Sequence, residues 1–270
     1  FMFAPNFTMF KEDFLGVLSA AGGQMFFSLS LAMGITVTYG SYLSKQENMV
    51  KNSALIIISD TLVAILAGMA VLPAAFALGG SGAELAGPKL LFITMQNVFD
   101  SMDGAIGPIF GIIFYLLVVL AAVSSSISLL EVIVAHFVDK ARDKGKGDKR
   151  KAYSVIAAIA TGVLCVLVCL DGLGSNGIAP WNLFGVESSN WSDCWLDFFD
   201  MLSEGIMMPL GAMLMSLMIG WEIGPEVVKG EVEQSGHAMG SYSFFKICVK
   251  FITPLCMILI LYGQIKEFFF

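Results

Sequence analysis

The sequence predicts an all-α, polytopic membrane protein with about six transmembrane helices. Three observations carry this. Of its 270 residues 57% are hydrophobic and 14% charged, and the mean hydropathy is +0.80, far from the balance of a soluble domain. Apolar runs recur at the length a bilayer demands, on the order of 20 residues at 1.5 Å each. Unbroken stretches such as IGPIFGIIFYLLVVLAAV (106–123) lack the polar–apolar alternation of membrane barrel strands.

In chain order the spans fall at about 19–45, 53–78, 108–138, 152–171, 200–221 and 241–265, and residues 1–270 read as a single transmembrane domain. Basic residues set the sidedness. Seven of the fifteen Lys and Arg lie in KARDKGKGDKRK (140–151), and none occurs from Ala152 to Val228. The positive-inside rule therefore predicts a cytoplasmic loop at 140–151 and an external loop at 171–195. Placing 46–52 and 222–240 inside and 79–107 outside keeps the alternation, as expected of a multi-pass protein of the cell (inner or plasma) membrane. A net charge of −7, with no basic patch interleaved with aromatics, excludes a nucleic-acid partner. The chain opens FMFAPNFTMF, with neither an initiator methionine nor a basic leader, and reads as the middle of a longer protein.

The first span contains GGQMFFSLSLAMG (22–34), a glycine pair, a Ser-x-Ser and a further glycine. Irregular backbone at membrane depth is tolerated only where it is buried in protein or lines a cavity. Unwinding around Leu29 to Met33 would expose amides and carbonyls able to coordinate a small charged solute. The same small residues also let membrane helices pack closely, and both readings stand at this point. Asp60, in the second span, costs about 2.5 to 3.5 kcal/mol on insertion scales, and such an acid commonly marks an ion or proton pathway. In the third span Ala121, Ser124, Ser125, Ser128 and Leu129 share one helix face, a hydroxyl stripe near midspan. Serines so placed also bond back to their own helix. Glu131, farther along, reads as a structural acid.

Enzyme chemistry has no support in these residues. GLGSNG (172–177) matches a dinucleotide-loop pattern but follows a membrane helix and opens no βαβ unit, so it reads as a turn. His136 and His237 have no metal-ligand partners at motif spacing, and no serine sits in a nucleophile-elbow context. Cys165, Cys169, Cys248 and Cys256 fall within spans and Cys194 stands alone, which is neither a disulfide framework nor a metal site.

Taken together, GQMFFSLSLAMGITVTYGSY (23–42), DTLVAILAGMAVLPAAF (60–76), AGPKLLFITMQNVFDSM (86–102) and SSSISLLEV (124–132) resemble the neurotransmitter:sodium symporters, including the bacterial leucine transporter. They look like that family's unwound sixth helix, its seventh helix, its long outer loop and its eighth helix. The resemblance covers essentially the whole chain. It implies the C-terminal half of the leucine-transporter fold, the second inverted repeat plus one further helix, spanning helices six to eleven. It implies sodium-coupled symport of a neutral, hydrophobic or aromatic amino acid by alternating access, with sodium ions for coupling and no other cofactor. Phe27 would be the lid over the substrate, and Ser28 and Asp60 would contribute to one sodium site. Ala121, Ser124 and Ser125 match the second. Ser28, Ser30, Met33, Ser125 and Leu129 would line the substrate pocket with Phe27. Gln24 would support the outer gate, whose acid matches Asp200, and Tyr42 and Asp139 match the inner gate. Asp60 stands where many chloride-dependent relatives carry asparagine, which implies chloride independence.

The family's first helices are absent from this sequence, and with them much of both sodium sites, so the missing N-terminal half is the expected partner and 1–270 alone is expected to be inactive. The alternative is a non-transporting membrane subunit or a small homo-oligomeric channel built around the polar stripe.

Overall fold

A computed structural model describes residues 7–77, 90–145, 147, 149–172, 174–180, 194–234 and 236–269. Parts of the expected loops 79–107, 140–151 and 171–195 lie outside these residues. Every regular element among the described residues is helical. In order they are α1 (Thr8–Glu12), α2 (Phe14–Ser28), α3 (Ile35–Gly40), α4 (Met49–Ala77), α5 (Met95–Asp100) with a π-helical turn before it (Leu90–Thr94), α6 (Ile106–Asp143) and α7 (Arg150–Asp171). Then come α8 (Trp195–Ile223), α9 (Pro225–Glu233) and α10 (Tyr242–Phe269).

Among the described residues five helices are long and apolar enough to cross a membrane, in α4, α6, α7, α8 and α10, and the chain is a multi-pass membrane protein. The span expected at 19–45 is not continuous: α2 is a shorter apolar helix that stops at Ser28. The helix expected at 108–138 runs farther, over 106–143, so Lys140 and Arg142 are helical and the basic loop shrinks to its glycine-rich middle. Basic side chains in a last turn complement the helix dipole, which favours this extension. The expected outer loop contains α5, whose Met95, Val98 and Phe99 are buried against Val71, Ala74, Phe114 and Tyr115.

The described residues divide into two compact units, one of 54–128 and the other of 6–53 with 129–270. In the second unit α2, α8 and α10 form the core, centred on Phe26, Met208 and Ile260. Asp13 starts α2 by accepting the Gly16 N–H at 3.0 Å, a standard N-terminal cap. Gly263 lets α10 approach α2 until Ser19 fits against it, and Gln264 Nε2 donates to the Ser19 carbonyl at 3.2 Å.

Prolines shape α8 and α10. A proline inside a helix lacks the N–H its own turn requires and pushes on the preceding carbonyl. Both helices absorb this with π-helical segments just upstream, Met201–Met207 before Pro209 and Cys248–Ile252 before Pro254. The carbonyls loosened in α10 find partners on α8. Ser216 Oγ donates to the Val249 carbonyl at 2.7 Å and Trp221 Nε1 to that of Lys250 at 3.4 Å. In apolar surroundings this restores the bonds that proline removes.

Beyond α8, Glu226 accepts from Lys246 Nζ at 3.0 Å and from the Tyr242 hydroxyl at 2.8 Å, tying α9 to α10. The Lys246 ammonium lowers the Glu226 carboxyl to about 2.

Candidate functional site: the break between α2 and α3

The α2 helix ends by a specific closure. Ser30 N–H donates to the Phe27 carbonyl at 3.1 Å and Leu31 N–H to the Phe26 carbonyl at 2.9 Å. This paired closure needs a left-handed residue at its centre, usually glycine. Here that residue is Ser30, at φ 52, and Ala32 follows at φ 59. Each such conformation costs an L-residue about 1 to 2 kcal/mol. Gly34, at φ 80, completes the break, and its carbonyl accepts both the N–H and the Oγ of Thr38 as α3 begins.

Packing holds the strained segment. Ala32 and Met33 sit against Phe26, Met208 and Ile260, and a Cβ on Gly211 would lie 3.6 Å from the Ala32 carbonyl, so the α8 backbone passes beside the break. The closure takes up the Phe26 and Phe27 carbonyls, while the first amides of α3 have no partners within their own helix. Two non-glycine residues at positive φ within three positions are the kind of backbone cost that concentrates where a chain binds something.

The glycine pair does a different job from Gly34. Gly22 and Gly23 stay helical inside α2. A Cβ on Gly22 would stand 2.5 Å from Ile260 Cδ1, and one on Gly23 would stand 2.5 Å from Glu204 Oε1. They serve close packing, so both readings of the stretch apply, to different residues.

Phe26 and Phe27 are neighbours with opposite fates: Phe26 is buried in the core and Phe27 is 61% exposed. Gln24 and Ser28 are exposed along the same helix, and Ser30 is half-buried within the break. Ser28 and Asp60 fall in different units, and Asp60 is half-buried on α4. Along α6, Ser124 Oγ donates to the Ala121 carbonyl at 2.8 Å and Ser128 Oγ to that of Ser124 at 3.1 Å, while Ala121, Ser124, Ser125 and Leu129 are exposed. A hydroxyl that donates backward keeps its lone pairs for a cation.

At the other end of α3, the Tyr42 hydroxyl donates to Glu131 Oε1 at 2.6 Å, and Arg150 Nη2 pairs with the same carboxylate at 2.6 Å. Asp139 is exposed on α6. Tyr42 thus meets Glu131, the acid whose place in the sequence predicts a structural role. Glu131 stands out in the sequence as an intramembrane acid, whereas Arg150 is one of seven basic residues in 140–151 with no signal to single it out. On α8 Asp200 and Glu204 lie four residues apart, about one helical turn. Glu204 had no spacing signal of its own. Among the described residues no group of three His, Cys, Asp or Glu side chains forms a metal site, and all five cysteines are free thiols.

A family model described as the sodium:neurotransmitter symporter family matches residues 1–269. An uncharacterized sodium-dependent transporter of Bacillus subtilis is 32% identical over 264 residues, covering 96% of this chain and 53% of its own length. One of Haemophilus influenzae is 30% identical over 265 residues, covering 96% of this chain and 52% of its own length. The sodium- and chloride-dependent GABA transporter 2 of Rattus norvegicus is 23% identical, covering 98% of this chain and 42% of its own length. Among solved structures, MhsT in complex with L-phenylalanine superposes with a TM-score of 0.78 at 32% identity, over 96% of this chain and 54% of that one. The chain therefore spans about half the length of these relatives.

Proposed function

Because the chain belongs to the sodium:neurotransmitter symporter family, a family of sodium-coupled transporters rather than enzymes, we propose that it is the C-terminal half of a symporter for a neutral, hydrophobic or aromatic amino acid. The α2–α3 break carries this reading. The main chain that the break brings to membrane depth supplies ligands for a zwitterion and its coupling cation without burying a further charged side chain. Phe27 is the lid over the substrate, while Ser28, Ser30, Met33, Ser125 and Leu129 contribute the pocket. Ser28 and Asp60 contribute to one sodium site, and Ala121, Ser124 and Ser125 to the other. Gln24 and Asp200 serve the outer gate, and Tyr42 and Asp139 the inner one. Met33 and Leu129 bring apolar surface, and the phenylalanine in the MhsT structure supports a substrate of that kind. The basic loop faces the cytoplasm and the acidic loop the exterior.

The missing half would supply the remaining ligands, so 1–270 alone neither transports nor binds tightly. The test is uptake of labelled phenylalanine, leucine and lysine into proteoliposomes. A complete transporter should accumulate the neutral amino acids only under an inward sodium gradient, and Phe27→Ala should raise its apparent KM. Residues 1–270 alone should accumulate nothing. Sodium-independent uptake by the complete protein, or robust accumulation by 1–270, overturns the proposal.

A further inference from the structure

Asp171, the last residue of α7, is only 1% exposed. Its Oδ2 accepts the main-chain N–H of Trp195, the first residue of α8, at 2.8 Å. Its Oδ1 is buried with no hydrogen-bond partner among the described residues. A second bond holds the same tryptophan, because the indole Nε1 donates to the Ile178 carbonyl at 2.7 Å. Cys194, buried at the N-cap, accepts the Asp197 N–H at 3.4 Å through its sulfur.

A carboxylate at the C-terminal end of its own helix opposes that helix's dipole, whereas one facing the N-terminus of another is favoured. Burial of an acid with one oxygen unsatisfied is costly, and the bond to Trp195 is what offsets it. The side chain therefore acts across the chain, as the cap of α8. Asp200 lies five residues beyond Trp195, little more than one turn from the capped end.

We propose that Asp171 is a positioning residue that clamps the start of α8 and thereby sets the stance of the Asp200 carboxylate. Its consequence for transport rests on the function proposed above, in which Asp200 serves the outer gate. The acceptor oxygen does the work, so asparagine substitutes for Asp171 and alanine does not. Losing a cap of this kind changes the balance between held and released ends by about fivefold.

The test reads maleimide labelling at single sites by mass spectrometry, with the chain in nanodiscs. Asp171→Ala should speed labelling of Cys194 about fivefold, and likewise that of a reporter introduced by Asp200→Cys, while Asp171→Asn leaves both at the reference rates. Unchanged rates in Asp171→Ala, or an Asp171→Asn variant as fast as the alanine one, overturn the clamp. If Cys194 speeds up and the Asp200→Cys reporter does not, the link to Asp200 is overturned. In a complete transporter, Asp171→Ala should raise the KM for uptake about fivefold at nearly unchanged maximal rate, and add nothing in an Asp200→Asn background. Independent, multiplying losses would refute action through Asp200. Absence of any sodium-driven uptake by the unmutated protein would instead overturn the transport reading, and the labelling rates would still decide the clamp.

Discussion

Tyr42 and Glu131, 89 positions apart, are joined by a 2.6 Å hydrogen bond, and Arg150 closes on the same carboxylate. The bond links the turn after α3 to the C-terminal part of α6, whose Val132 also lies beside Gly34, so movement of the second half-helix is coupled to α6.

Breaking that link should favour the conformation open at this end. Tyr42→Phe and Glu131→Gln are each expected to raise the accessibility of a cysteine introduced on α3 by Thr38→Cys by about fivefold or less, the scale of an exposed charged hydrogen bond. The double variant should be no worse than the more severe single one, because the two remove the same contact. Additive effects would show that Tyr42 and Glu131 act separately.

Ser30 stands where glycine is the unstrained choice. Ser30→Gly should stabilise the α2 closure by about 1 kcal/mol and raise the Tm by a few degrees, whereas Ser30→Val, β-branched at positive φ, should lower it. A Tm unaffected by either change would mean that the left-handed conformation is absent in the membrane.

Close approach of α2 and α10 depends on Gly263, where an added Cβ would overlap Ser19 and stand 3.3 Å from the Leu15 carbonyl. Gly263→Val is therefore expected to destabilise by about 1 to 3 kcal/mol, measured as lost thermal stability in detergent. Gly230→Ala, with nothing within 4 Å of its Cβ, is the matched control and should show no comparable loss.

At Asp60 a carboxylate carries covalently the negative charge that an asparagine would have to borrow from a bound anion. In a complete transporter, replacing chloride by gluconate should leave uptake intact. Asp60→Asn should abolish uptake or make it chloride-dependent. Collapse of unmutated uptake without chloride, or an Asp60→Asn variant with unchanged sodium affinity in its absence, removes this role from Asp60.

Much of the molecule is legible in the sequence. Hydropathy marks the long helices because a bilayer leaves the backbone few solutions, and the small residues of 22–34 admit both an interrupted helix and close packing. Composition and the order of the motifs settled the class, and the motifs also carried the family likeness that the family model bears out. What only the tertiary structure decided is which residues meet. Phe26 and Phe27 are chemically identical, and packing against Met208 and Ile260 buries one of them. Gly22, Gly23 and Gly34 look alike in sequence, yet the nearness of Ile260 and Glu204 makes two of them packing sites and a left-handed φ makes the third part of the break. Asp171 reads as one acid of an acidic loop until Trp195 arrives from 24 positions away. Local periodicity reports which face a residue occupies, but a hydrogen bond across tens of residues depends on how helices dock, and that is set by the sum of many contacts that no single stretch of sequence contains.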